Sequence, residues 1–230
     1  TNPRQTGTAL NGPYVAPGTD SDTFTTNTVT PAGAKAIITC DSGSDPTGTT
    51  GASPSEAAAW VQYANVTKGY GIKYWEIGNE QAGNGYYGSS FSWEEDLHAD
   101  KSPMAYGQNV AAFSSAMKAY DPTIKIGACV VQPGVWPDTD GSYPYNQCVL
   151  TNCASAVDFV IIHWYPDGPA AQSLQSPTRI PGVASSMRSE INSYVGARAS
   201  SVAILVTETG PYTNTGPACA FRAPGYPEGA

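Results

Sequence analysis

Five short, almost unbroken apolar runs, each separated from the next by a stretch with helical spacing, constrain this chain more than any other feature. The runs are 36–40 (Ala36-Ile37-Ile38-Thr39-Cys40), 73–77, 124–131, 158–164 and 203–207. A strand that is apolar at nearly every position is expected to be buried on both faces, the condition of a parallel sheet covered by helices. Parallel neighbours cannot be joined by a hairpin and need a crossover, which the intervening segments can supply. Ser53-Pro54-Ser55-Glu56 predicts a helix from Glu56 to about Val66, with Ser53 as N-cap, Pro54 in the first turn and Glu56 closing a capping box. Ala57, Trp60, Val61 and Ala64 then share one face. Ser102-Pro103 opens a second helix to about Tyr120, burying Val110, Phe113, Met117 and Tyr120, and 182–195 reads as a third, with Val183, Met187, Ile191 and Val195 in register. Alternating strands and helices predict an α/β fold.

The chain has 230 residues, enough for one large domain or two small ones. Eleven basic against nineteen acidic residues give a net charge of −8, which repels phosphate backbones and anionic headgroups, so nucleic-acid and membrane-surface partners are excluded. No apolar run reaches the length of a transmembrane helix. Thr1-Asn2-Pro3-Arg4 lacks the apolar core of a signal peptide, and the expectation is a secreted chain whose export signal has been removed. Gly (24) and Pro (19) make it loop-rich, yet 14 Tyr, 5 Trp and 40% hydrophobic residues can fill a core, which argues against disorder.

Of the five cysteines, Cys148 and Cys153 flank a turn-like Val149-Leu150-Thr151-Asn152 and are placed to close a local disulfide, whereas Cys40 and Cys129 read equally well as small buried hydrophobes. With no C-x-x-C pair and only His98 and His163, no zinc site, other metal site or cofactor is expected. Asn65-Val66-Thr67 fits a glycosylation sequon.

No glycine-rich phosphate loop of the G-x-G-x-x-G or Walker type follows any strand. Polar, aromatic and carboxylate residues stand instead at the C-terminal ends of several strands, as at the active face of a (β/α)8 TIM-type barrel. The predicted layout is an irregular segment 1–33, a barrel core 34–210 and a loop-rich tail 211–230. The first strands and the eighth strand of a barrel are not legible, which leaves either irregular early strands or an incomplete barrel.

The strongest motif is Tyr74-Trp75-Glu76-Ile77-Gly78-Asn79-Glu80: a strand, a glycine, an amide and a carboxylate before a long loop. Val206-Thr207-Glu208 sets a second carboxylate at the end of the last clear strand, and between them Ile161-Ile162-His163-Trp164-Tyr165 adds a strand-end His, Trp and Tyr. Two carboxylates facing each other over a cleft are what glycosidic bond cleavage needs: an acid for the leaving oxygen, and a group that attacks the anomeric carbon or activates water.

These motifs resemble those of the retaining glycoside hydrolases of clan A, and most of all the α-L-arabinofuranosidase and bacterial cellulose-active branch, over about residues 34–210. The resemblance implies a (β/α)8 barrel in which Asn79-Glu80 ends the fourth strand with Glu80 as acid/base, Glu208 ends the seventh as nucleophile, and His163 with Tyr165 lies on the sixth. The clan's arginine near the end of the second strand has no counterpart here, since Arg4 stands in an unrelated context, and Thr209-Gly210-Pro211-Tyr212 leads into a Pro/Gly/Ala-rich tail without a recognisable eighth strand.

Within that scheme burial and the like charge of Glu208 are expected to raise the Glu80 pKa and keep it protonated. Glu208 is expected to be ionised and held by Tyr165, Asn79 to meet the sugar 2-hydroxyl, and His163 to orient the network. Glu76 reads as a paired structural carboxylate that can point into the barrel, and His98 as solvated. Tyr86, Tyr87, Trp93, Trp136 and Trp164 either stack on sugar rings or pack locally, Trp164 being the best placed. The expected partner is a cell-wall polysaccharide or oligosaccharide, either a β-1,4-glucan or an arabinofuranosyl branch. The competing reading is a non-catalytic carbohydrate-binding protein on a degenerate barrel.

Overall fold

The structure, a computed structural model, describes residues 20–165 and 176–209. Its elements are α1 (Ser21–Phe24, continuing helically through Val29), β1 (Ile37–Cys40), α2 (Pro54–Val61, continuing through Thr67), β2 (Tyr74–Ile77), α3 (Pro103–Lys118), β3 (Lys125–Val130), α4 (Tyr145–Cys153), β4 (Phe159–Trp164), α5 (Ser176–Tyr194) and β5 (Ala203–Thr209). The five strands form one all-parallel sheet in sequence order, β1-β2-β3-β4-β5. Because every strand runs the same way, all five C-terminal ends lie along one edge of the sheet, and the residues that follow them share that edge. The predicted stretch before residue 20, Arg4, Cys219 and the tail 211–230 lie outside the described residues.

One face of the sheet is packed by helices. Ile38 and Cys40 of β1, Trp75 and Ile77 of β2, Ile126, Ala128 and Val130 of β3, and Val160, Ile162 and Trp164 of β4 join Val61, Phe113, Met117, Leu150, Met187 and Ile191 in one buried cluster. Trp75 is fully buried and meets Trp60 of α2 edge to face, 5.8 Å between centroids. The central strands are buried as their composition predicts. The outer strands are not: Ile37 on β1 and Val206 on β5 are each 41% exposed, because each outer strand has only one strand neighbour among the described residues.

The structure departs from the sequence reading in four places. The segment expected to be irregular is helical at Ser21–Val29, capped by Asp20, whose carboxylate accepts from Thr23 N. Asp22 of α1 then accepts from Tyr63 and Tyr70 hydroxyls and Lys68 Nζ at 2.7–2.8 Å, tying α1 to the end of α2. Ser53 does N-cap α2 by backbone geometry, but its hydroxyl pairs with Ser55 and the capping-box bond is not made. Tyr120 is exposed rather than buried, since α3 ends two residues earlier. Cys148 and Cys153 do not form the expected disulfide: both are free thiols on helix α4, and five residues of helix turn their side chains well apart. Both amide protons of Asn65 in the sequon are spent inside the fold, on Ile72 O and Asp121 Oδ2 at 2.8 Å each.

The N-terminal edge of the sheet is stapled by Asp158, the residue before β4. Its carboxylate, 8% exposed, accepts from Lys118 Nζ at the end of α3 (2.6 Å), from Ile126 N of β3 (3.0 Å) and from Arg198 before β5 (3.3 Å), with Lys125 Nζ at 3.7 Å. One carboxylate thus links three successive β/α units. Asp158→Ala leaves Ile126 N without its partner and is expected to destabilise the fold by roughly 2–4 kcal/mol. Urea denaturation measures this as a lowered midpoint with an unchanged slope.

Candidate active site

At the end of β2 the chain turns through two left-handed residues. Gly78 has φ +74°, and Glu80 has φ +39°, ψ +44°, the only non-glycine residue with positive φ among those described. A side chain at 78 would also collide with Gln81, whose Cγ lies 2.8 Å from where a Cβ would stand. Such strain in a non-glycine residue costs on the order of 1–3 kcal/mol and persists where surrounding bonds hold it. Here they do. Tyr106 of α3 donates to Ile77 O (2.7 Å) and accepts from Cys129 N (2.9 Å), fixing the strand end just before the turn. Beyond it, His163 Nδ1 lies 2.9 Å from Glu80 Oε1 and Trp93 Nε1 donates to Glu80 Oε2 at 2.7 Å.

Glu208 reaches the same place through an irregularity. Strand β4 pairs with β5 as Ile161 with Leu205 and Ile162 with Val206, and then His163 pairs with Glu208, leaving Thr207 as an extra residue. Side chains alternate along a strand, so with regular pairing Glu208 would share the face of Ile204 and Val206. The bulge returns it to the face of His163. His163 Nε2 lies 3.5 Å from Glu208 Oε1, and the Tyr165 hydroxyl donates to Glu208 Oε2 at 2.5 Å. One oxygen of Glu80, one of Glu208 and one ring nitrogen of His163 all fall within 4.8 Å of one another.

The structure therefore brings together Glu80, Glu208, His163, Asn79 and Tyr165, five of the six residues singled out from the sequence. Trp164 is the exception. It follows His163 on the strand and so projects to the opposite face, where it is 6% exposed within the helix-side core, with the Arg179 guanidinium 5.9 Å from its ring centroid. An open cleft of about 470 Å³ is lined by Ile37, Thr39, Glu76, Asn79, His163 and Glu208 among others; Glu80 is not in its wall but reaches it through His163. Glu76 points into the cleft and is buried against Thr39 Oγ1 (3.4 Å) and Cys129 Sγ (3.6 Å). One residue and one contact escaped the sequence reading. Glu94 accepts from Asn79 Nδ2 at 2.9 Å and sets the orientation of that amide, and Trp93 binds Glu80 rather than only offering a stacking face. Neither lies on a strand or a helical face, so no periodicity marks it. The loop carrying them is closed by Trp93 N and Glu94 N donating to Gly83 O (2.9 Å each), with the Trp93 indole so close over Gly83 that a Cβ there would sit 2.3 Å from it. His98, expected in solvent, braces the same loop: Nδ1 is 2.8 Å from the buried Asp96 carboxylate, which also accepts from Asn84 Nδ2.

The protons are arranged differently from the expectation. The bond from His163 lowers the Glu80 pKa most; burial opposes it, and the weaker bond from Trp93 adds to the lowering. Burial pulls His163 down, but its bond to Glu80 and the charges of Glu208 and Glu76 outweigh this and raise it. Both shifts favour a charged pair, Glu80 as the anion and His163 as the cation, because a paired charge beats desolvation when the partner is in hydrogen-bond contact. Burial raises Glu76 and Glu94, and the bond to Glu208 pushes the Tyr165 phenol up to about 12. Folding brings Glu80, His163 and Glu208 together as a His/Glu/Glu group that two histidines far apart in the sequence do not reveal. His163 is committed to a carboxylate at each nitrogen, which accounts for the grouping without a cation.

No family model matches the chain. In sequence, the protein named "Probable alpha-L-arabinofuranosidase C" of Aspergillus niger is 26% identical over 140 residues, half of this chain and 24% of that protein; its namesake in Aspergillus fumigatus is 28% identical over 138 residues, 49% of this chain and 24% of the other. The chain spans about a quarter of the length of these relatives. In structure, it is similar to the α-L-arabinofuranosidase of Thermotoga maritima solved with arabinose (TM-score 0.62, 20% identity, 86% of this chain and 38% of that one) and to a family 44 xyloglucanase of Paenibacillus polymyxa (TM-score 0.55, 13% identity, 82% and 52%). These neighbours are TIM-barrel glycoside hydrolases, and the five parallel strands match part of such a barrel. The relatives in both comparisons fall in clan A, the group that the Asn79-Glu80, His163 and Glu208 motifs resemble.

The paired charges of Glu80 and His163 have a definite pH range. Glu80 with a lowered pKa contributes stability that is lost as pH falls through its folded value; His163 with a raised pKa contributes stability that is lost as pH rises through its own. The ion pair therefore exists between the two. Glu80→Gln is expected to shift the His163 titration midpoint downward, which imidazole NMR chemical shifts against pH will measure. An unmoved midpoint would contradict the pairing.

Proposed function

We propose that the chain carries the catalytic face of a secreted, retaining glycoside hydrolase acting on plant cell-wall polysaccharide, with Glu208 as nucleophile and Glu80 as acid/base. The observation that carries this reading is the approach of Glu80 and Glu208 oxygens to within 4.8 Å on either side of one imidazole. That spacing fits the carboxyl separation of about 5–5.5 Å used for covalent capture, and not the roughly 6.5–9.5 Å that leaves room for an attacking water. The five strands then correspond to the third to seventh of an eight-stranded barrel, β2 being the fourth and β5 the seventh. The names of the matched relatives and neighbours favour an arabinofuranosyl or a β-linked glucan substrate.

In this mechanism Glu208, steadied by Tyr165, attacks the anomeric carbon as the glycosidic bond breaks. The leaving oxygen takes a proton from the Glu80–His163 pair. In the free protein that proton rests on His163; it passes across the 2.9 Å contact to Glu80, and the carboxyl so formed gives it to the leaving oxygen. The glycosyl–Glu208 ester is then hydrolysed by water, with Glu80 as base. Asn79, its amide turned by Glu94, meets the sugar 2-hydroxyl. Thr207 Oγ1, buried and without a partner in the wall of the cleft, is a further hydrogen-bonding group for a sugar hydroxyl.

One observation favours the second reading, a non-catalytic carbohydrate-binding protein: both oxygens of Glu80 are held by donors that keep it ionised. Kinetics separate the two. For the enzyme, Glu80→Gln lowers kcat on substrates with poor leaving groups by about 10²–10⁴-fold, Glu208→Gln abolishes turnover, both variants keep sugar affinity, and NMR shows the first-formed product with retained anomeric configuration. Sugar binding without turnover in the unaltered chain establishes the binding protein instead.

A further inference from the structure

Beside the cleft, two loops carry aromatic rings that are packed together but not buried. Phe91 lies 5.1 Å from Trp93 and 6.5 Å from Trp136; Trp136 lies 5.8 Å from Tyr87, Tyr87 5.0 Å from Tyr86, and Tyr86 6.0 Å from Tyr143. All but the first of these contacts are edge-to-face, the arrangement that fixes each ring against the next. The two loops are also joined by a hydrogen bond from the Tyr87 hydroxyl to Tyr143 O (2.5 Å). Despite this mutual packing, Trp93 stays 52% exposed, Trp136 47% and Tyr143 44%. A contiguous aromatic surface left in water by a rigid scaffold marks a binding surface, and its position is fixed at one end: Trp93 holds Glu80 Oε2.

We infer that this ridge, from Trp93 to Tyr143, binds the neutral pyranose backbone of a polysaccharide on the leaving-group side of Glu80. The inference rests on the hydrolytic reading for the word "leaving" and on the ridge itself for the rest. Pyranose chains present apolar C–H faces at regular intervals, and the exposed ring faces of Trp93, Trp136 and Tyr143 can meet them without ordering cost, because neighbouring rings already fix them. Charge selects among polysaccharides. Glu94 and Glu95 adjoin Trp93, and Asp138 and Asp140 lie between Trp136 and Tyr143, on a chain of net charge −8. Asp140 accepts from Tyr143 N and Asp138 from Gly134 N, so these carboxylates are fixed in the loop beside the rings. No lysine or arginine lies in 81–100 or 126–143 to offset them. A uronate chain is repelled from the ridge, and an uncharged one is not.

The test is affinity electrophoresis of the Glu208→Gln chain, which leaves the gel polymer intact and the Trp93–Glu80 contact unaltered, through gels containing hydroxyethylcellulose, arabinoxylan or polygalacturonate. Retardation is expected in at least one neutral polymer and not in polygalacturonate. Adding Trp136→Ala is expected to weaken it about tenfold, and Trp136→Phe to restore most of it, with circular dichroism unchanged because Trp136 is half exposed. Retardation that is absent from both neutral polymers, unaltered by Trp136→Ala, or equal in polygalacturonate overturns the inference. So does a ridge that pairs two copies of the chain, seen as a dimer that Trp136→Ala splits in size-exclusion chromatography. Turnover of an aryl glycoside by the unaltered chain is scored separately: retardation that depends on Trp136 in a chain without turnover keeps the ridge as a glycan surface and overturns only the hydrolytic reading.

Discussion

The imidazole of His163 has a carboxylate at each nitrogen, and everything at the C-terminal edge of the sheet is arranged around that double contact. Glu80 arrives from a strained turn after β2, Glu208 from a bulge in β5, and the ring between them projects from β4. Two carboxylates this close repel each other. A positive ring between them removes the repulsion, and burial strengthens the attraction that replaces it. The pairing also explains the left-handed backbone at Glu80, an energetically unfavourable conformation that bonds to His163 and Trp93 hold in place.

This arrangement changes how the acid of a glycosidase is stored. A carboxyl group kept neutral by burial carries its own proton. Here the proton belongs to the Glu80–His163 pair and rests on the more basic partner. In the proposed mechanism, substrate in the cleft would exclude water from both groups, disfavour the charge-separated form and move the proton toward Glu80, so that binding itself would arm the acid.

The sheet was legible because its central strands are buried on both faces, and continuous apolar runs such as Ile124–Val131 and Asp158–Trp164 leave little choice of structure. The site was legible wherever a functional residue ends a strand: Asn79-Glu80, His163 and Glu208 are all of this kind. Trp164 shows the limit of that logic, for strand alternation sends it to the helix side while its neighbour His163 faces the cleft. Glu94 and Trp93 were hidden for the opposite reason, being placed by loop hydrogen bonds that no periodicity encodes. The Glu80 proton was misjudged because desolvation can be anticipated from a sequence, whereas a 2.9 Å contact with a residue 83 positions away cannot. Helix α4 escaped notice because Cys148 and Cys153 invited a covalent explanation for a segment that is held by burial of Tyr145, Val149, Leu150 and Cys153.

The extra residue at Thr207 makes strand β5 a counting device. What decides whether Glu208 confronts His163 or hides among the helices is the bulge, and almost any small side chain at 207 would keep it. Removing that residue takes out the bulge and still leaves the glutamate opposite His163, whereas regular pairing through Thr207 turns Glu208 to the helix side with every reactive group still in the polypeptide. Homologous chains that differ in length just ahead of this glutamate should therefore be compared by spacing as well as by identity, because an unbroken motif there does not guarantee a working one.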